Sequence, residues 1–239
     1  MNIEHKIAII TGASSGLGAA VASALVAKGA KVYGLARNIT KLSQLKTQLG
    51  IDFVPIEMDV SDYDAVTKWV DETFVDRIMP DILINNAGVG SFGKIDEMPT
   101  KNWLKMIDTN LNGMYYITSQ IAALMKKKGD VAHIINIGSI LGSTSRAEAA
   151  AYSTTKYGVQ GFSEALYQEL RAFNIKVTCF NPGSIETDFF ESSGIIPHRN
   201  MLQPKALADT LVHILETPDN MLINEITVRP LNPKRSLTT

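Results

Sequence analysis

The stretch Lys6-Ile7-Ala8-Ile9-Ile10-Thr11-Gly12-Ala13-Ser14-Ser15-Gly16-Leu17-Gly18 joins an apolar run of strand length to three glycines spaced G-x3-G-x-G. A helical pattern opens inside it at Ser15 and runs to Lys28, where Gly29 stops it. Glycine lets the backbone turn sharply and approach a ligand closely. A helix N-terminus adds free N–H groups and a partial positive charge, which suits a pyrophosphate. The spacing departs from the general G-x-G-x-x-G dinucleotide fingerprint, and a glycine turn between strand and helix is often no more than a turn. The rest of the chain has to decide between the two.

Working outward, short apolar runs alternate with longer segments of helical period. Strands are expected at Lys6–Thr11, Lys31–Ala36, Phe53–Glu57, Asp81–Asn85, Val131–Ile137, Lys176–Phe180 and Glu225–Val228. Between them, helices are expected at Thr40–Leu49, Tyr63–Val75, Lys101–Lys127, Ala151–Phe173 and Pro204–Glu216. Such alternation implies parallel strands joined by right-handed crossovers. The prediction is a single-domain α/β doubly wound Rossmann fold over residues 1–239, with a mostly parallel seven-stranded sheet and helices on both faces. With 239 residues, 45% of them hydrophobic, the chain can fill one large core. The irregular stretch 183–203 is long for a compact domain and is expected to be a substrate loop, and 231–239 a short tail.

Composition removes several classes of function. A formal net charge of -1 offers no broad basic surface for nucleic acid. The one basic run, Lys126-Lys127-Lys128 before Gly129, reads as a helix C-terminus. Cys179, the single cysteine, allows no intrachain disulfide and sits in an apolar strand, so a buried, inert thiol in a reducing compartment is expected. No stretch reaches the ~18 apolar residues of a membrane span. The first strand begins too early to leave a signal peptide, so a cytoplasmic protein without a membrane partner is expected. His5, His133, His198 and His213 stand singly, so no metal site is predicted.

Four further segments give the glycine turn its meaning. Asn85-Asn86-Ala87-Gly88 closes the fourth strand, where open α/β sheets bind ligands. Asn110 lies in the following helix, Ser139 just beyond the fifth strand, and Tyr152-x-x-x-Lys156 opens the next helix. With Thr11-Gly12-x3-Gly16-x-Gly18, this set resembles the classical short-chain dehydrogenase/reductase family over residues 5–230. The resemblance implies a tetrad of Asn110, Ser139, Tyr152 and Lys156 and a nicotinamide dinucleotide as cofactor. It also implies that Lys156 holds the nicotinamide ribose and that Asn110 links Lys156 to solvent through a water. By the same resemblance, Gly12, Ser14, Ser15, Gly16, Leu17, Gly18, Asp59, Val60, Asn86, Ala87, Gly88, Pro182, Gly183 and Thr187 contact the cofactor, with Asp59 at the adenine and Thr187 at the carboxamide.

The spacing also makes chemical sense. Tyr152 and Lys156, at i and i+4, share one helix face. An ammonium ~6 Å from a phenol at an effective dielectric of ~20 favours the phenolate by about 2.8 kcal/mol. A lowered Tyr152 pKa is therefore expected, fitting it as general acid in reduction and base in oxidation. Ser139 would donate a hydrogen bond to the substrate oxygen.

The second strand ends Gly34-Leu35-Ala36-Arg37-Asn38, with no acid between Lys31 and Asp52 to hold a free 2′-hydroxyl. Arg37 instead offers a guanidinium to a 2′-phosphate, so NADP(H) is expected over NAD(H). A small carbonyl or alcohol is the expected substrate. Glu225–Pro230 resembles the ending of relatives that act on 3-hydroxy acids, while a broad-range carbonyl reductase fits as well. Phe189, Phe190, Ile195 and Ile196 make the substrate loop apolar, and Arg146, His198 and Arg199 are carboxylate-binding candidates. The competing reading is a dinucleotide-sensing binding protein without turnover, against which the intact Tyr152 and Lys156 argue. A dyad used for epimerisation or dehydration goes with longer chains. The two long helices carry apolar residues on several faces, including Met114, Leu124, Phe162 and Leu166, so a homotetramer is expected, with a dimer next.

Overall fold

The computed structural model describes residues 1–75, 78–187 and 200–231. Its elements in chain order begin with β1 (Ile7–Thr11), α1 (Gly16–Ala27), β2 (Lys31–Ala36), α2 (Ile39–Leu49), β3 (Phe53–Glu57), α3 (Tyr63–Thr73) and β4 (Ile82–Asn85). Then come α4 (Thr100–Ile107), a π-helical turn at Asp108–Asn112, α5 (Gly113–Lys128), β5 (Ala132–Ile137) and α6 (Ala150–Leu170). The chain continues through β6 (Ile175–Pro182), α7 (Pro204–Leu215) and β7 (Glu225–Val228).

The seven strands form one sheet in the order β3-β2-β1-β4-β5-β6-β7. Every adjacent pair is parallel, so the sheet goes beyond the mostly parallel expectation. β1 lies in the middle because its apolar run satisfies both faces: Ala8 and Ile10 pack among α1, α2 and α7, while Ile9 packs among α3, α5 and the end of α6. Between β1 and β4 the connections leave in opposite directions, which opens a crevice at the carboxyl ends of the strands.

Two differences from the sequence-based elements bear on function. The helix expected at Lys101–Lys127 is interrupted by the π turn, and Asn110 sits inside it. Such turns add one residue to the i→i−4 ladder and re-aim a side chain. β6 runs on to Pro182 because β7 supplies partners up to Pro182↔Val228. Among the described residues no helix is long and apolar enough to cross a membrane.

Of the side chains expected to leave apolar surface on the long helices, Met114 is buried with Val159 and Cys179 where α5, α6 and β6 meet, and Phe162 packs against that cluster. Leu124 and Leu166 are partly covered by the main core. The helices cover one another as well as the sheet, which the sequence pattern could not show. Leu104, Tyr115 and Tyr157 are the exposed apolar residues of α4, α5 and α6.

Candidate active site

At the crevice, Thr11 ties the glycine turn to the Asn-Asn-Ala-Gly segment. Its hydroxyl accepts the Asn86 and Ala87 amides, each at 3.0 Å, and the Asn86 side-chain amide returns to the carbonyls of Thr11 and Gly12 at 3.0 and 3.1 Å. Gly12 has φ +68°, and a Cβ there would lie 2.9 Å from Ala87 Cα. Gly18 does not face the crevice. It lets α1 pack on the turn, since a Cβ on it would collide with the Gly12 carbonyl. Two of the three glycines thus allow close approach of the protein's own backbone, whereas the spacing suggests approach to a ligand.

The turn opens one side of a cavity of about 720 Å³. Gly12, Ser14, Ser15, Gly16, Leu17, Arg37, Asp59, Val60, Asn86, Ala87, Gly88, Ser139, Tyr152, Lys156, Pro182, Gly183 and Thr187 all line it. Gly18 and Asn110 stand behind its wall. Thr187, from beyond β6, reaches back so that a Cβ on Gly16 would meet its methyl group at 2.8 Å. Phe189, Phe190, Ile195, Ile196, His198 and Arg199 lie outside the described residues, as do most of the loop 183–203 and the tail from 232 onward.

Tyr152 and Ser139 share a hydrogen bond, and both are buried. The Ser139 amide donates to Asn181 Oδ1 at 3.2 Å, and its hydroxyl accepts the Leu141 amide at 3.1 Å, which fixes the turn that carries it. Lys156 Nζ lies 5.7 Å from the centre of the Tyr152 ring and donates to the Ile137 carbonyl at 2.8 Å. Burial pushes the Tyr152 hydroxyl up to about 12, against the opposing effect of the Ser139 hydrogen bond. Burial also brings the Lys156 ammonium down to about 8, with the neighbouring Cys179 opposing it. The expected lowering of the tyrosine pKa is therefore reversed. Spacing gives the distance between the two groups, but only the packing of α6 shows that both leave water, and loss of hydration raises the phenol and lowers the ammonium.

Asn110 holds the wall of the cavity. Its Oδ1 accepts the Val89 amide at 2.8 Å, and its Nδ2 donates to the Val89 carbonyl and to Thr155 Oγ1 at 2.9 and 3.0 Å. A small void of about 10 Å³, close to the volume one water needs, is bordered by Asn110, Lys156 and Asn85.

Arg37 Nη1 lies 3.8 Å from Asp59 Oδ2 at the far end of the cavity. Asp59 does not cap α3, which Asp62 does through the Ala65 amide. Partial burial would raise the Asp59 pKa, but hydrogen bonds from the Ser61 hydroxyl and amide, with the charges of Arg37 and Lys105, hold it below the usual carboxylate value. Cys179 is buried against Gln160 and Asn181, and burial raises its pKa, which suits the inert thiol expected.

Some site residues escaped the sequence reading. Thr11 stands inside the glycine motif, and its position before Gly12 was the available signal. Asn181, immediately before Pro182-Gly183, holds Ser139 through a contact 42 residues apart in sequence, which no local pattern announces. Phe92 packs on Tyr152 with ring centres 5.2 Å apart. Arg146, in contrast, is a carboxylate-binding candidate from the sequence, and its guanidinium lies 5.0 Å from the centre of Phe92. Its loop is held by Glu148, at φ +63°, whose carbonyl accepts the Gly93 amide at 2.8 Å. A non-glycine residue in that conformation costs roughly 1–3 kcal/mol and persists where the surroundings enforce it.

Comparison with known proteins agrees with this geometry. The model of the short chain dehydrogenase family matches residues 6–195. An uncharacterized oxidoreductase of Staphylococcus haemolyticus is 36% identical over 233 residues, covering 96% of this chain and 99% of the relative. The closed form of a serine dehydrogenase complexed with NADP+ superimposes with a TM-score of 0.88 at 28% identity, covering 93% of this chain and 94% of that one. A 3-ketoacyl-(acyl-carrier-protein) reductase from Brucella melitensis complexed with NADH has a TM-score of 0.88 at 26% identity, covering 95% and 98%. The chain belongs to the short-chain dehydrogenase/reductase family of oxidoreductases.

Proposed function

We propose that this oxidoreductase is NADP(H)-dependent and interconverts a carbonyl and a secondary alcohol on a small molecule, as a single domain in the cytoplasm. The observation that carries the reading is the one cavity lined by the glycine turn, Arg37, Ser139, Tyr152 and Lys156 together. The residues fit the cofactor: the turn and the start of α1 line the cavity, where backbone N–H groups can meet a pyrophosphate. When bound, the reduced nicotinamide supplies a hydride to the substrate carbon.

The side chains supply the rest. A Tyr152 hydroxyl with its pKa near 12 is protonated at neutral pH and ready to give its proton to a carbonyl oxygen. Ser139, held by Asn181 and the Leu141 amide, donates a second hydrogen bond to that oxygen, where negative charge develops. Lys156 is the cation nearest to Tyr152 in the cavity and takes the ribose hydroxyls. Asn110 and the small void beside it connect Lys156 toward solvent. Arg37 grips a 2′-phosphate, for which its loose pairing with Asp59 leaves donors free. The NADP+-bound serine dehydrogenase supports this choice of cofactor, and the NADH-bound reductase shows that the fold also takes the other dinucleotide.

We further propose a homotetramer, or a dimer, assembled over Leu104, Tyr115 and Tyr157, each about half exposed. Light scattering at micromolar concentration is expected to give a mass well above 26.1 kDa. The cofactor assignment is tested by kcat/KM for NADPH and NADH with a panel of carbonyls, in the wild type and Arg37→Ala. The wild type is expected to prefer NADPH, and the substitution to lower NADPH efficiency far more than NADH efficiency. Equal losses would reject the role of Arg37, and dinucleotide binding without turnover of any carbonyl would favour a sensing protein.

A further inference from the structure

Charge is distributed unevenly around the cavity. Among its described lining residues the cations are Arg37, Lys156 and Arg146, and the one carboxylate is Asp59. Arg37 is paired with Asp59, and Lys156 is buried beside Tyr152. Arg146 is reached from Tyr152 through a single aromatic ring, Phe92, and it makes no ion pair among the described residues.

The backbone that carries the guanidinium is held in place. Arg146 opens a turn closed by the Ala149 amide to its own carbonyl at 3.3 Å, and the turn is pinned to the Phe92 segment by Glu148 and Gly93. The exposed guanidinium has its carbon 5.0 Å from the centre of the Phe92 ring, and Nη1 donates to the Ala147 carbonyl at 3.0 Å. The remaining N–H donors of this cavity-lining guanidinium can meet a carboxylate with two parallel bonds. The surrounding side chains are apolar, with Phe92, Leu141 and Val89 lining the cavity on this side. An apolar wall with one cation favours a small anion over a neutral polar molecule.

We propose that Arg146 recognises a carboxylate on the substrate, so that the protein reduces a small oxo acid and oxidises the corresponding hydroxy acid. The inference rests on the oxidoreductase reading above and gives that site its substrate class. In reduction, a C–H bond forms at the carbonyl carbon from the hydride of the reduced nicotinamide, which is thereby oxidised by two electrons. The oxygen takes the Tyr152 proton, and the carboxylate stays unchanged on Arg146. Oxidation of the hydroxy acid reverses each transfer.

The test measures kcat/KM with NADPH for acetoacetate and levulinate, each against its methyl ester, in the wild type, Arg146→Gln and Arg146→Lys. The wild type is expected to favour the acid in at least one pair by about 10- to 100-fold, the range of a hydrogen-bonded charge pair. Arg146→Gln should bring that acid-to-ester ratio close to one, mostly through KM, and Arg146→Lys should restore part of it. The ratio compares two substrates on the same folded protein, so a loss of stability cancels. No preference for the acid in either pair, or equal losses for acid and ester in Arg146→Gln, overturns the inference while leaving the oxidoreductase reading intact. Failure to reduce any acid, ester or neutral ketone overturns both.

Discussion

Asp81 at the amino ends of the parallel strands and Lys156 at their carboxyl ends carry buried charge in opposite ways. At the amino end, Asp81 accepts Lys128 at 2.5 Å, the Ile7 amide at 3.0 Å and Lys6 at 3.1 Å, so a nearly inaccessible carboxylate is surrounded by donors. At the carboxyl end, the buried Lys156 ammonium has a backbone carbonyl and, among the described residues, no carboxylate, and the Tyr152 hydroxyl is held far from its ionised form. The cluster at Asp81 is electrostatically closed. The other keeps charges and donors that a ligand would satisfy, at a cost in stability that the core must offset. The amino end should therefore govern stability and the carboxyl end turnover.

The largest effect expected is on turnover. Tyr152→Phe removes the proton donor without changing the ring that packs on Phe92, and kcat should fall about 10³-fold while thermal unfolding and NADPH binding stay near wild type. A variant retaining wild-type kcat would break the contrast at its strongest point.

Asp81→Ala is the reciprocal change. It leaves Lys6 and Lys128 facing each other around a lost partner and should destabilise the fold by about 3 kcal/mol in urea titration, with kcat within about twofold of wild type. A matching drop in kcat would mean that the two ends are coupled.

Lys156→Met should go the other way. The folded-state pKa, about 8, lies below the free-lysine value of 10.5, so between those values the unfolded chain binds the extra proton, and wild-type stability rises with pH across that window. Below pH 8 both states are protonated and the folded protein bears the full cost of the buried charge. The methionine variant should then be more stable by about 2 kcal/mol, with the advantage closing toward pH 10.5, while activity is lost. Equal stability of the two proteins at pH 7 would show that this end hides no such cost.

The smallest effect is that of Arg37→Ala on stability. Its ion pair is 3.8 Å long and about half exposed on both sides, so less than about 0.5 kcal/mol should be lost, even though cofactor preference is expected to change.

Much of this architecture was legible because it is local. Strand and helix periods, the stop glycines at 29, 50 and 129, and the positions of Ser139, Tyr152 and Lys156 at element ends are properties of short stretches, and the structure keeps them with shifts of a residue or two. What the pattern missed depends on contacts between distant segments. The π turn at Asn110 coincides with the hydrogen bonds that Asn110 makes to Val89 and Thr155, and periodicity alone reads that stretch as one continuous helix. The electrostatics were misjudged for the same reason, since an i, i+4 spacing carries no information about how dry the helix face is.

By itself the sequence determined the order of strands and helices, the glycine turn and the chemical identity of the groups at the carboxyl ends, because steric and helical-period rules act within a few residues. Only the tertiary structure decided that Asn181 holds Ser139, that Asp59 meets Arg37 rather than capping a helix, that burial raises Tyr152, and that Phe92 carries Arg146 to the cavity. Each of these depends on which strands lie side by side and how much water remains between them, and neither is written in any one stretch of the chain.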